Sequence, residues 1–118
     1  MIRENIYGIF SEHDAEKRRN NIVRLWAEDG VFVDPDSRYE GHVGIARAAA
    51  GLLERFPNFV FTERGEPQTL IGACKLDWSY GPAEGEAVIT GSDVLVMKGD
   101  KIGAVYVFAN PSKKSVIR

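Results

Sequence analysis

The sequence predicts an α+β fold, with helices first and a mostly antiparallel sheet after them. Apolar residues recur at helical spacing up to Phe56, and from Asn58 onward they alternate instead. No helical stretch returns between the later strands, as the crossovers of a parallel sheet would require.

A first helix is expected over 2–10, where Ile2, Ile6, Ile9 and Phe10 share a face. After a break, Asp14 is placed to N-cap a second helix over 15–28. Ile22, Val23, Leu25 and Trp26 form its apolar side, and Glu16, Lys17, Arg18 and Arg19 its wet one. Asp29-Gly30 reads as the helix stop, because glycine takes the left-handed conformation without a Cβ penalty. Val31, Phe32 and Val33 favour extended chain, and Pro35 turns Asp34 away from helical geometry. Residues 36–41 read as a loop. A third helix is expected over 42–56 through Ile45, Ala49, Leu52, Leu53 and Phe56, ended by Pro57.

Phe59 and Phe61 open the first alternating stretch. Residues 70–80 follow as one strand, with Cys74, Leu76, Trp78 and Tyr80 on a single face. After a turn at Gly81-Pro82, residues 86–97 place Ala87, Ile89, Gly91, Asp93, Leu95 and Met97 together. A tight turn over 98–101 leads to the last strand, 102–109. Both faces of these last two strands are apolar, whereas a sheet wetted on one side would show polar residues there. One face is expected to pack on the helices. The strip carrying Val94, Val96, Val105 and Val107 is expected to meet a second copy, which makes a homodimer through the sheet the predicted assembly.

Composition narrows the function classes. The 118 residues suit one domain over 1–118, and the net charge of −2 comes from interspersed acids and bases. Nothing marks a nucleic-acid or anionic-membrane surface. The single cysteine, Cys74, permits neither an internal disulfide nor a thiolate zinc cluster, so a reduced, cytoplasmic setting is expected. No apolar run is long enough to span a bilayer, and Arg3 and Glu4 interrupt any signal-peptide core. Neither a phosphate loop, a metal-ligand spacing nor a dinucleotide fingerprint occurs, so no cofactor or metal is expected.

Two carboxylates carry the chemistry on offer. Asp34 shares a strand face with Phe32, and Asp93 lies between Gly91 and Leu95 on an apolar one. Neither same-face run contains Lys or Arg. A carboxylate buried without a partner has a raised pKa, which makes it an acid or base usable near neutrality. The competing structural roles are a turn cap for Asp34 and a loop-amide partner for Asp93. His13 and His42 both stand near helix starts, where capping or surface roles fit them.

The run Leu25-Trp26-Ala27-Glu28-Asp29-Gly30-Val31-Phe32-Val33-Asp34-Pro35, then Gly41 and Ile45, Arg55-Phe56-Pro57, Trp78 and Gly91-Ser92-Asp93 carry a family likeness. Over about residues 10–108 they resemble the SnoaL-like group of the nuclear-transport-factor-2-like superfamily, which includes polyketide cyclases and ketosteroid isomerases. The resemblance implies a cystatin-like α+β roll, a cone of three N-terminal helices wrapped by a curved antiparallel sheet. It implies an apolar pocket that takes an apolar small molecule; Phe10, Trp26, Phe32, Tyr39, Leu53, Phe56, Phe61, Trp78, Leu95, Tyr106 and Phe108 are its candidate lining, with simple core filling as the alternative role for the aromatics among them. Asp34 falls where a ketosteroid isomerase keeps its proton-shuttling carboxylate, and Asp93 where it keeps a neutral carboxylic acid. The tyrosine that completes that enzyme's oxyanion site falls at Phe10, which has no hydroxyl; Tyr7, Tyr39, Tyr80 and Tyr106 are the available substitutes. The function implied is a cofactor-independent cyclase or isomerase using Asp34 and Asp93 on a carbonyl compound. The alternative is a non-catalytic ligand-binding or dimerisation domain of the same fold.

Overall fold

Local pattern and observed structure agree through the first helical stretch. The computed structural model of the chain describes residues 1–111. Helix α1 (Ile2–Asn5) runs directly into a π-helical turn, Ile6–Phe10, and together they bury Ile2, Asn5, Ile6, Ile9 and Phe10. The wide turn leaves carbonyls free for side chains, and Asn21 Nδ2 donates to the Gly8 carbonyl at 2.9 Å. Helix α2 (Ala15–Leu25) starts as expected, with Asp14 Oδ1 accepting from the backbone N–H groups of Glu16 and Lys17.

Its end differs from the expectation. Helix α2 stops at Leu25, and strand β1 already runs over Trp26–Val33. Gly30 is inside that strand and has no positive φ. Its role is contact: a Cβ there would meet the Trp26 ring at 2.5 Å. Trp26 is 1 % exposed and pairs with Ile102 on the last strand, so long-range pairing and ring burial override the local helical pattern. The segment expected as a loop is also partly strand. Strand β2 (Arg38–Glu40) pairs antiparallel with Val31, Phe32 and Val33. Helix α3 (Gly41–Arg55) follows and buries Ile45, Ala48, Ala49 and Leu53.

The remaining strands are β3 (Phe59–Glu63), β4 (Gln68–Leu70), β5 (Ala73–Pro82), β6 (Ile89–Lys98) and β7 (Lys101–Pro111). The expected single strand over 70–80 is a hairpin. Leu70 pairs with Ala73 across Ile71 and Gly72, and Gly72 takes a left-handed φ of 81°, a conformation that costs glycine little. The sheet order is β2-β1-β7-β6-β5-β3, with β4 also paired to β5. One pairing departs from the antiparallel expectation: β1 runs parallel to β7. The fold is an α+β cone, three helices against one face of a curved, mixed sheet. Among the described residues no helix is long and apolar enough to cross a membrane.

Register also corrects the expected dimer strip. Leu95 lies opposite Val105 and Val94 opposite Tyr106, so Val105 is on the inner face and 0 % exposed. Val107, opposite Asp93, is on that inner face too. The outer strip is Val94, Val96, Tyr106 and Phe108.

Candidate functional site

The inner sheet face is built in rows across strands. Phe32, Val105 and Leu95 form one row, all buried. Two residues further along β7, Val107 stands opposite Asp93, and Asp34 follows directly after Val33, the last residue of β1 paired with β7. Burial loosens toward this end of the sheet: Asp34 and Val107 are half-buried, and Asp93 is buried.

Among the described residues Asp93 is held by one neighbour. Trp78 Nε1 donates to Asp93 Oδ1 at 2.9 Å. Burial pushes the Asp93 carboxyl up to about 6, against the smaller opposing effect of that hydrogen bond. Gly91 makes the arrangement possible. It lies opposite Trp78, and a Cβ there would meet the indole at 2.7 Å and the Phe108 carbonyl oxygen at 2.4 Å. The sequence pattern looked for a cation beside Asp93 and overlooked this indole. The signal was available in the Trp78 and Gly91 positions on adjacent strand faces.

Asp34 does structural work. Its Oδ1 accepts from the backbone N–H groups of Asp36 at 2.9 Å and Ser37 at 2.7 Å, closing the turn after β1.

Of the expected lining residues, Phe10, Trp26, Phe32, Leu53, Trp78 and Leu95 are buried, and Tyr39, Phe56 and Phe61 are half-buried against the same core. Many of these rings pack on one another, as in the Phe10–Phe32 stack at 4.7 Å and the Phe61–Trp78 contact at 5.3 Å. Tyr106 and Phe108 do not join them. Alternation puts both on the outer face, 41 % and 64 % exposed, because the strand's inward positions are Val105 and Val107.

Asn5 is a buried polar residue that the sequence reading did not single out, although it interrupts the Ile2–Ile6 face. Its Oδ1 accepts from Trp26 Nε1 at 2.8 Å, and its Nδ2 has no partner among the described residues. His42 Nε2 lies 2.9 Å from the Trp26 carbonyl oxygen, a structural contact, and His13 is exposed. Cys74 is half-buried, and burial raises its thiol. Among the described residues no three His, Cys, Asp or Glu side chains stand together as a metal-ligand set.

Two open depressions lie elsewhere. A cleft of about 530 Å³ separates the N-terminal residues from the β4–β5 hairpin, with Cys74, Leu95 and Met97 among its lining. A groove of about 280 Å³ runs over the outer face past Asp77, Ser92 and Phe108. Neither is lined by Asp34 or Asp93.

No family model matches the sequence, and no curated protein sequence does. Solved structures do. A SnoaL-like family protein from Agrobacterium tumefaciens str. C58, provisionally assigned as an isomerase, superposes with a TM-score of 0.86 at 27 % identity, covering 92 % of this chain and 93 % of its own. A protein from Sinorhizobium meliloti, provisionally assigned as a polyketide cyclase, gives 0.69 at 19 % identity over 87 % of this chain and 90 % of its own. A de novo designed protein with a curved β-sheet gives 0.72 at 13 % identity over 98 % of this chain and 87 % of its own. By structure, then, the chain is similar to a SnoaL-like protein and shares the fold of nuclear-transport-factor-2-like proteins. The shared architecture does not by itself entail a reaction.

Proposed function

We propose that Asp34 continues the β1–β7 register beside Val107, and that the protein binds a small apolar carbonyl compound over the resulting Asp34–Val107–Asp93 row and moves a proton on it without a cofactor. The observation that carries this reading is Asp93, a buried carboxyl with a single indole partner and a pKa near 6. A ligand covering the row withdraws Asp93 further from water and favours its protonated form, which donates a hydrogen bond to the carbonyl oxygen. Asp34 keeps Oδ2 for the base. It takes a proton from the carbon next to the carbonyl, and the electron pair moves toward the oxygen held by Asp93. Return of the proton at another carbon completes an isomerisation, in balance and with no other reactant.

The test is deuterium uptake from D₂O into a panel of cyclic enones. The wild type should exchange faster than buffer, and the rate should fall as pH rises through about 6, where Asp93 ionises. Asp34→Asn should abolish exchange, while Asp93→Asn, which retains a hydrogen-bond donor, should be milder. A wild type no faster than buffer across the panel would favour the non-catalytic reading.

We also propose a homodimer, now through the outer strip. Val96, Tyr106 and Phe108 are 37 %, 41 % and 64 % exposed on that strip, which makes it an apolar surface suited to a second copy.

A further inference from the structure

Tyr80 carries a hydroxyl with no partner among the described residues. The residue is 3 % exposed, and its oxygen is sealed from solvent with no hydrogen-bonding group in reach among the described residues. Burial pushes the phenol up to about 12, so it stays a protonated donor at physiological pH. Its ring sits in an aromatic box, 4.3 Å from Phe61, 5.2 Å from Phe59 and 5.9 Å from Phe56. Phenylalanine would fill that box equally well without stranding a polar atom.

The other tyrosines are differently placed. Tyr7 donates its hydroxyl to Glu63, Tyr39 is half-buried beside Phe32, and Tyr106 is on the outer face. The box also has a wet side, because Phe56, Phe59 and Phe61 are each half-buried. Phe56 and Phe59 stack at 4.7 Å on either side of a two-residue turn. Tyr80 lies opposite Ile89, four residues along β5 from Leu76, the residue opposite Asp93. The two rows are thus roughly 13 Å apart.

We propose that Tyr80 is a ligand-binding residue whose hydroxyl donates to an oxygen of a flat aryl or cyclic ketone seated among Phe56, Phe59 and Phe61. This rests on the reading that the inner face takes an apolar carbonyl compound, and it adds a second recognition point remote from Asp93. The ligand class becomes an elongated, largely apolar molecule with an acceptor oxygen at the Tyr80 end.

The probes are acetophenone and α-methylstyrene, which share a shape and differ in C=O against C=CH₂. Binding is followed by amide chemical shifts of the full chain, in wild type, Tyr80→Phe and Asp93→Asn. The wild type should bind the ketone about 5–10-fold more tightly than the alkene, the range of one neutral hydrogen bond. Tyr80→Phe should lower ketone affinity to that of the alkene, leave alkene affinity unchanged and not reduce Tm. Asp93→Asn should keep the ketone preference. A preference kept by Tyr80→Phe and lost by Asp93→Asn would overturn the Tyr80 assignment and leave the proposed role of Asp93 standing. A Tm several degrees lower in Tyr80→Phe would overturn it as well, by showing that the hydroxyl already has an internal partner. So would failure of the wild type to bind either probe, and the deuterium-exchange test would still judge Asp93 independently.

Discussion

Trp78 hands its indole N–H to Asp93 Oδ1 across 2.9 Å, from the strand beside the one that carries the carboxylate. One neutral donor offsets only part of the cost of burying a charge, and the Asp93 carboxyl consequently rises from 3.8 to about 6. The same contact links the site to the packing of the sheet, because the indole occupies the space that a side chain at Gly91 would fill.

A stability signature follows from that shift. A folded-state pKa above the unfolded value means that the folded protein holds the proton more tightly. The associated stability is fully present below about pH 3.8 and is lost as pH rises through about 6. A shift of this size corresponds to roughly 3 kcal/mol. Asp93→Asn should therefore be more stable than wild type at pH 8, by roughly 1–3 kcal/mol, with the difference closing near pH 4. Urea titrations at the two pH values check this, and an equal difference at both would contradict it.

Gly91→Ala tests the seat of the indole. The added Cβ meets backbone on one side and the Trp78 ring on the other, so neither neighbour yields cheaply. Overpacking of this kind costs about 1–3 kcal/mol. Denaturant melts should show that loss, together with a change in tryptophan fluorescence as the indole moves. Unaltered stability and emission would mean that the indole has room to spare.

Asp34 can be separated into its turn and its chemistry. Asp34→Ala removes the acceptor for two backbone amides and should cost about 1 kcal/mol in thermal unfolding. Asp34→Asn keeps an acceptor oxygen and should come close to wild-type stability. If the two variants unfold alike, the turn does not depend on this side chain.

On the sheet exterior, Phe108→Glu should give a folded monomer, since the residue is 64 % exposed and part of the proposed dimer strip. Val105→Glu is a different experiment. Val105 is fully buried, so a charge there should prevent folding altogether. Sedimentation velocity reads the first outcome and circular dichroism the second. A wild type that is monomeric at micromolar concentration would remove the dimer proposal.

Asn5→Ala strands the Trp26 indole N–H inside the core and should destabilise the protein by about 1–3 kcal/mol. Differential scanning calorimetry measures the loss. A smaller effect would show that the indole finds another acceptor.

What the sequence determined on its own was whatever rests on local periodicity. The Ile2–Ile6–Ile9 face, the Asp14 cap, the Ile45–Ala49 face of α3 and the alternation through Leu76, Trp78 and Tyr80 are fixed by geometry within a few residues, and they were legible together with the cone they build. The apolar surround of Asp93 was legible for the same reason. Tertiary structure decided what depends on residues far apart in the chain. Trp26 leaves the helical pattern because it pairs with Ile102, and Gly30 yields to the Trp26 ring rather than stopping a helix. Val105 turns inward and Tyr106 outward because register, not composition, assigns each strand its face. The Trp78–Asp93 hydrogen bond and the buried hydroxyl of Tyr80, unpartnered among the described residues, exist only once separate strands and rings close around them. Partners of that kind are set by distances in space, which a linear pattern does not contain.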